Sequence, residues 1–285
     1  LPLVGGIVLL VRKEPVQREF WMALLFLFVG APVASTLFDL RRLRRQTAAF
    51  LQEQAQTLRF SFWQSHLKFW LSNRVLWVLV GLYIAQLVLG YENSVERAGL
   101  VKRSVRLGDW PRLITCAFLH AASPLHIWFN AMAWRSVGRV VESLAGWETL
   151  APVFLLSILG GSLTSMWWQP TGSSIGASGG ICGVIGCILA LAMRYRASLP
   201  RGLARSVWHS VGYTLAMGLM APTVIDNAAH VGGLLAGFVF THLWVPFKAG
   251  TVPLGSSGPR RLIGTVAIAI LGAAAALTMI RMLQR

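Results

Sequence analysis

The chain has 285 residues, of which 55% are hydrophobic and only 13% charged, and its 26 lysines and arginines against 10 acidic residues give a formal net charge of +16. A soluble protein of this length carries roughly a quarter charged residues and covers its core with amphipathic helices, so this composition excludes a soluble domain and indicates a polytopic membrane protein. The arginines cluster at the ends of apolar runs, where they orient helices and meet anionic lipid, so the charge implies no nucleic-acid partner.

A short apolar run from Leu1 to Val11 is followed by charged residues from Arg12 to Glu19 and a second run from Phe20 to Phe38. Only the second approaches the roughly 20 residues needed to span hydrocarbon. The leading leucine leaves room for a truncated start, including a trimmed signal or anchor. Arg41, Arg42, Arg44 and Arg45 come next, and the polar, basic stretch to Asn73 reads as a cytoplasmic, partly amphipathic helical linker. Spanning helices are then predicted at about Arg74 to Gly90, Leu125 to Val141, Thr149 to Trp168, Ser178 to Met193, Ser206 to Met220, Ala228 to Pro246 and Leu262 to Met282. The expected organisation is an N-terminal membrane helix and basic linker over 1–73, a core over 74–247, and a linker with a C-terminal transmembrane helix over 248–285.

Arg135 and Arg139 close the second core segment, Arg194, Arg196, Arg201 and Arg205 follow the fourth, and Lys248, Arg260 and Arg261 follow the sixth. These ends belong in the cytoplasm. The opposite side receives the loop from Tyr91 to Arg112, the turn from Gln169 to Ser174, and the turn from Pro222 to Asn227. Ser178 and His230, which begin the helices after those two turns, are therefore expected near one extracytoplasmic face.

Ser178 lies in Gly176-Ala177-Ser178-Gly179-Gly180, at the first turn of its helix, where free backbone N–H groups and the helix dipole favour negative charge. A serine hydroxyl needs a base, and His230, 52 residues later, holds the matching place on its own helix. Gly179 and Gly183 on one helix, with Gly233 and Gly237 on the other, form small-xxx-small faces that let backbones approach. Earlier in the chain His126 and Asn130 are four apart and share a helical face. Both can donate hydrogen bonds, and polar side chains at membrane depth face the bundle interior or a wet cavity. Gly176 to Gly180 also satisfies G-x-S-x-G, with Asp226 and His230 in the chain order of a soluble hydrolase triad, but no strand precedes the serine. Asp226 reads as part of a helix-capping turn.

The His120 to His126 spacing fits no zinc site, and no cofactor is implied. Cys116, Cys182 and Cys187 read as small helix-packing residues, and His209 and His242 as packing or interfacial ones. A transporter or channel would need polar residues along several helices, and the central apolar segments offer few.

From about Arg74 to Pro246 the chain resembles the rhomboid family of intramembrane serine proteases. His126-x-x-x-Asn130 resembles the family's second-helix signature, Gly176-Ala-Ser178-Gly179 its nucleophile motif and Ala229-His230-Val-Gly-Gly its base motif, in the family's order. Gly138 and Glu142 resemble the close of the second helix, while Trp110-Pro-Arg112 departs from the usual Trp-Arg pair by an inserted proline. Ile225 to His230 and the extra C-terminal helix are most similar to a bacterial branch with a seventh core-linked helix. The Phe20 to Phe38 helix has no counterpart in the six-helix core.

The resemblance implies an all-α membrane fold with a Ser178–His230 dyad, and an oxyanion held by the Ser178 N–H, Asn130 and His126. Substrates would be transmembrane proteins cleaved near the extracytoplasmic face, entering beside the Ser206 to Met220 helix of an enzyme in the bacterial inner membrane. Catalytically silent relatives that bind membrane clients are the other function the family offers.

Overall fold

The computed structural model describes residues 25, 29–43, 48–195, 199, 201–221, 225–244 and 257–284. Helices α1 (Ala31–Leu43), α2 (Ala48–Ser65) and α3 (Trp70–Leu89) lead into a region of α4 (Tyr91–Ala98), strand β1 (Leu100–Val101), α5 (Lys102–Arg106) and α6 (Arg112–Thr115), extended by a 3-10 turn over Cys116–Phe118. Helices α7 (Pro124–Ala145) and α8 (Trp147–Trp168), strand β2 (Ser173–Ser174), and helices α9 (Ser178–Arg194), α10 (Arg201–Met220), α11 (Asn227–Trp244) and α12 (Gly258–Leu283) follow. Each apolar run expected to span from Arg74 onward overlaps one of these helices along most of its length. Of the Phe20 to Phe38 run, residues 20–24 and 26–28 lie outside the described residues, and 31–38 begin α1.

The chain forms two compact units, residues 1–60 with 200–227, and residues 61–199 with 228–285. In the first unit the Asn227 amide donates to Gly218 O, near the end of α10, at 2.9 Å. The second unit holds the segments that carry Ser178, His230, His126 and Asn130.

Among the described helices, α3, α8 and α12 are long and apolar enough to cross a membrane by length and composition, and α9 is a shorter apolar helix. Helix α7 carries Arg135, Arg139 and Glu142, and α11 carries His230, Thr241 and His242, so polar groups dilute their hydropathy. Large apolar side chains such as Trp77 and Val88 on α3 and Trp167 on α8 are exposed, as lipid solvent allows.

Helix α7 anchors the start of α3. The first N–H groups of a helix have no partner within it, and a carboxylate is the strongest acceptor for them. Glu142 supplies one from the last turn of α7: its oxygens accept from Leu71 N at 2.8 Å, Ser72 N at 2.9 Å and Ser72 Oγ at 2.5 Å. The fully buried Trp134 adds a bond from Nε1 to Ser72 O at 2.8 Å and packs on Phe154 of α8, ring centroids 4.5 Å apart.

The last helix holds the loop after α3. Gly264 brings α12 against the Glu148 backbone at the start of α8, where a Cβ would come within 2.7 Å of Glu148 Cα. At its other end Arg281 pairs with Asp109, Nη2 to Oδ1 at 2.6 Å, and donates to Arg97 O at 3.2 Å. Asp109 also accepts from Arg112 Nε at 2.5 Å, while Arg112 Nη1 donates to Glu96 O at 2.7 Å and Gly99 O at 2.9 Å. In the Trp110-Pro-Arg112 triplet it is thus Arg112 that is buried and bonded inward, and Trp110 is exposed.

Two consequences follow from these anchors. Glu142→Ala leaves three donors at the start of α3 without their acceptor, and denaturation in detergent should register a loss of about 2–3 kcal/mol. At Asp109, burial would raise the carboxyl, but Arg281 and Arg112 outweigh it and hold the pKa below its ordinary value of 3.8. A lowered carboxylate pKa stabilises above the unfolded value and ceases to do so as pH falls through the folded one. The stability difference between wild type and Asp109→Asn should therefore be constant near neutral pH and shrink on acidification below about pH 4.

Candidate active site

Helices α9 and α11 run parallel and in step, and glycine sets their separation. A Cβ on Gly233 would land on Gly179 O, one on Gly237 on Gly183 O, and one on Gly186 on Leu234 O. Backbones in such contact leave no room for side chains between them. Helix α8 closes on the other flank of α11: a Cβ on Gly161 would lie 2.7 Å from Ala229 O, and one on Gly232 would lie 2.7 Å from Gly160 O. The sequence reading picked out Gly179, Gly183, Gly233 and Gly237 but passed over the α8 glycines, whose Gly160-Gly161 pair is the signal for this second contact.

This packing brings the first turns of α9 and α11 together, and Ser178 Oγ lies 2.8 Å from His230 Nε2. Both residues are half-buried, and Ser178 starts a 17-residue helix whose N-terminal dipole end faces the site.

The segment leading into Ser178 is pinned to the loop after α3. Strands β1 and β2 pair antiparallel, Leu100 opposite Ser174 and Val101 opposite Ser173. The fully buried Lys102 donates from Nζ to Ser174 Oγ at 3.0 Å, Lys102 N donates to Gly172 O at 3.2 Å, and Gly176 N donates to Cys116 O at 3.0 Å. Beneath this tie lies a cluster of Leu100, Val105, Leu113 and Cys116, with Leu159 and Met166 packed against it. Gly176 has φ +122°, in the left-handed region, and a Cβ there would meet His126 Nε2 at 3.0 Å and Ser178 Oγ at 3.8 Å. Glycine is therefore required at 176 on both counts.

His126 sits in the first turn of α7, with its Cε1–Nε2 edge toward Gly176. Its Nδ1 accepts from Ala121 N at 3.0 Å. Asn130 is buried one turn on and donates from Nδ2 to His126 O at 2.9 Å. An amide nitrogen carries two hydrogens, so Asn130 keeps a second donor. The loop residue His120 is fully buried, its ring edge-on to His126 with centroids 5.2 Å apart. Burial, reinforced by His126, pushes its pKa down to about 3, so its ring is neutral near neutral pH. Cys182 and Cys187 are buried and free, and His209 and His242 lie against Tyr213 and Phe238. Among the described residues no group of histidine, cysteine and carboxylate side chains could hold a metal ion.

Residues 107–247 match the Rhomboid domain family. Rhomboid protease GluP of Bacillus subtilis (strain 168) is 32% identical over 163 residues, 57% of this chain and 31% of that protein. RHOMBOID-like protein 6, mitochondrial, of Arabidopsis thaliana is 32% identical over 152 residues, 51% of this chain and 48% of its own. Inactive rhomboid protein 1 of Bos taurus is 30% identical over 141 residues, 48% of this chain and 16% of its own. The chain spans less than half the length of each of these relatives.

Because Gly237 faces backbone, Gly237→Leu should force α9 and α11 apart. Overpacking of this kind costs about 1–3 kcal/mol. A lowered denaturation midpoint in detergent, with loss of the coupling between Ser178 and His230 in histidine NMR spectra, is the expected outcome.

Proposed function

We propose that this chain, which belongs to the rhomboid family, is an intramembrane serine endopeptidase that cleaves transmembrane segments of membrane proteins near the extracytoplasmic face. It is a multi-pass membrane protein, by its family and its apolar helices. The observation that carries the catalytic reading is the 2.8 Å contact between Ser178 Oγ and His230 Nε2 at the facing first turns of two helices.

In this reading His230 takes the Ser178 proton at Nε2 as Oγ attacks the scissile carbonyl, which requires its own ring proton to sit on Nδ1. The tetrahedral oxyanion forms over the start of α9, where the Ser178 N–H and the helix dipole meet it. His126, whose Nε2 edge lies against Gly176, and the free donor of Asn130 complete the set. The imidazolium then returns its proton to the leaving amine, and water repeats the attack on the acyl-enzyme. No carboxylate is needed in the dyad, and Gly176, Gly179, Gly183, Gly233 and Gly237 act by allowing the close approach.

We place residues 74–247 as the catalytic core, with 1–73 and 248–285 as flanking membrane segments in a bacterial inner membrane. The arginines at the ends of α7 and α9 support a cytoplasmic location for those ends, and so an extracytoplasmic mouth for the dyad.

A silent, client-binding role is favoured by one observation, the match to relatives named inactive. The two readings separate on one experiment with purified protein in proteoliposomes. As an enzyme it should be labelled by a fluorophosphonate and should cleave a reporter transmembrane substrate, both lost in Ser178→Ala and in His230→Ala. Asn130→Ala should retain the fold and lose about 100- to 1,000-fold in kcat. Labelling that survives Ser178→Ala would remove the assignment, and a folded wild type that neither labels nor cleaves would leave the client-binding role.

A further inference from the structure

Gln86 is fully buried in the last turn of α3, and both ends of its side-chain amide are spent on one residue of the loop before α7. Nε2 donates to His120 O at 2.8 Å, and Oε1 accepts from His120 N at 3.0 Å. One turn earlier on α3, the Tyr83 hydroxyl donates to Ala122 O at 2.9 Å. Helix α3 thus grips the loop at residues 120 and 122, on either side of Ala121.

The peptide between His120 and Ala121 is a rigid plane, with its carbonyl and its N–H on opposite edges in the trans form. Gln86 holds the carbonyl edge, so the direction of the Ala121 N–H is no longer free. That N–H donates to His126 Nδ1 at 3.0 Å. A nitrogen that accepts a hydrogen bond carries no proton, so the proton of the neutral imidazole must sit on Nε2. Nε2 belongs to the edge of His126 that lies against Gly176, beside Ser178.

We propose that Gln86 is a positioning residue that sets the tautomer of His126. By fixing the His120–Ala121 peptide it makes Ala121 N–H a permanent donor to Nδ1 and thereby keeps a proton on Nε2, where His126 presents a donor to the oxyanion. The role assigned to that donor rests on the proposed serine chemistry, but the tautomer itself does not. A ring left to choose would put its proton on Nδ1 in part of the molecules, and those would offer the oxyanion a lone pair. An isolated glutamine in an apolar helix is costly unless its amide is fully bonded, and here both ends are.

The test uses full-length protein with ring-15N histidine in nanodiscs, and a His126→Ala spectrum to assign the resonances. Wild type should show His126 with an unprotonated Nδ1 and a protonated Nε2. Gln86→Met, which keeps the volume and removes the grip, should shift both ring nitrogens toward averaged values, and fluorophosphonate labelling of Ser178 should slow by about tenfold, the lower range for loss of a group that orients an active residue. Gln86→Glu retains the acceptor for His120 N, and at a pH high enough to ionise the buried carboxyl it places an anionic oxygen against His120 O, so under that condition it should perturb the ring as Gln86→Met does. If Gln86→Met proves unstable, the ionised form of Gln86→Glu gives the same readout in a variant that differs by one heavy atom. An His126 ring that keeps its wild-type nitrogen shifts in folded Gln86→Met or in ionised Gln86→Glu, or that is protonated at Nδ1 in wild type, overturns the proposal. If the serine reading fails instead, labelling is absent from every variant while the tautomer change remains.

Discussion

Two helices can approach to backbone distance only where neither carries a side chain at the crossing, and the α9–α11 contact meets that condition at each turn it uses. Gly179, Gly183 and Gly186 on one helix, with Gly233 and Gly237 on the other, bring carbonyl oxygens against α-carbons. In a lipid solvent there is little hydrophobic gain from joining two apolar helices, so close dispersion contact must supply the attraction. The hydrogen bond between Ser178 and His230 depends on this contact, because the two residues occupy the first turns of these helices. Helix α8 limits the same helix from its other side through Gly160 and Gly161, which leaves α11 little freedom to slide.

The remaining parts of the site are positioned from outside the helical pair. The strand before Ser178 is fastened to β1 and to Cys116 O, which fixes the direction in which the chain enters α9. The start of α7 is fastened through the 120–122 loop to α3, which fixes the ring of His126. Glu142, at the far end of α7, fastens that helix to the opposite end of α3. Helices α3 and α7 are thus joined at both ends by hydrogen bonds, the interaction that apolar surroundings make costly to break.

What could be read from the sequence was whatever is local or periodic. Apolar runs located the helices from α3 onward, the four-residue spacing put His126 and Asn130 on one face, and the small-xxx-small pattern marked the α9–α11 contact. What escaped was carried by the backbone or by distant partners. The Ala121 N–H that orients His126 has no letter of its own, since any residue but proline would supply it. Gln86 is a polar residue in an apolar helix that the sequence analysis passes over, and its partner lies 34 residues away. Lys102 is, by sequence, one of several cations between residues 91 and 112, and is fully buried against Ser174, 72 residues on. Arg112 was visible as half of a broken motif, but only the folded loop shows it bonded to Glu96 O and Gly99 O.

The bond between Arg281 and Asp109 joins residues 172 positions apart, and Arg281 belongs to the last helix of the chain. During synthesis, the loop over residues 91–112 leaves the ribosome long before its tether exists. The bonds that pin the loop to residues 172–174, and those of Arg112 within it, need no part of α12. Arg281 then adds the bonds from α12 to Asp109 and to Arg97 O, so among the fastenings described for this loop these are the ones whose second partner is made last.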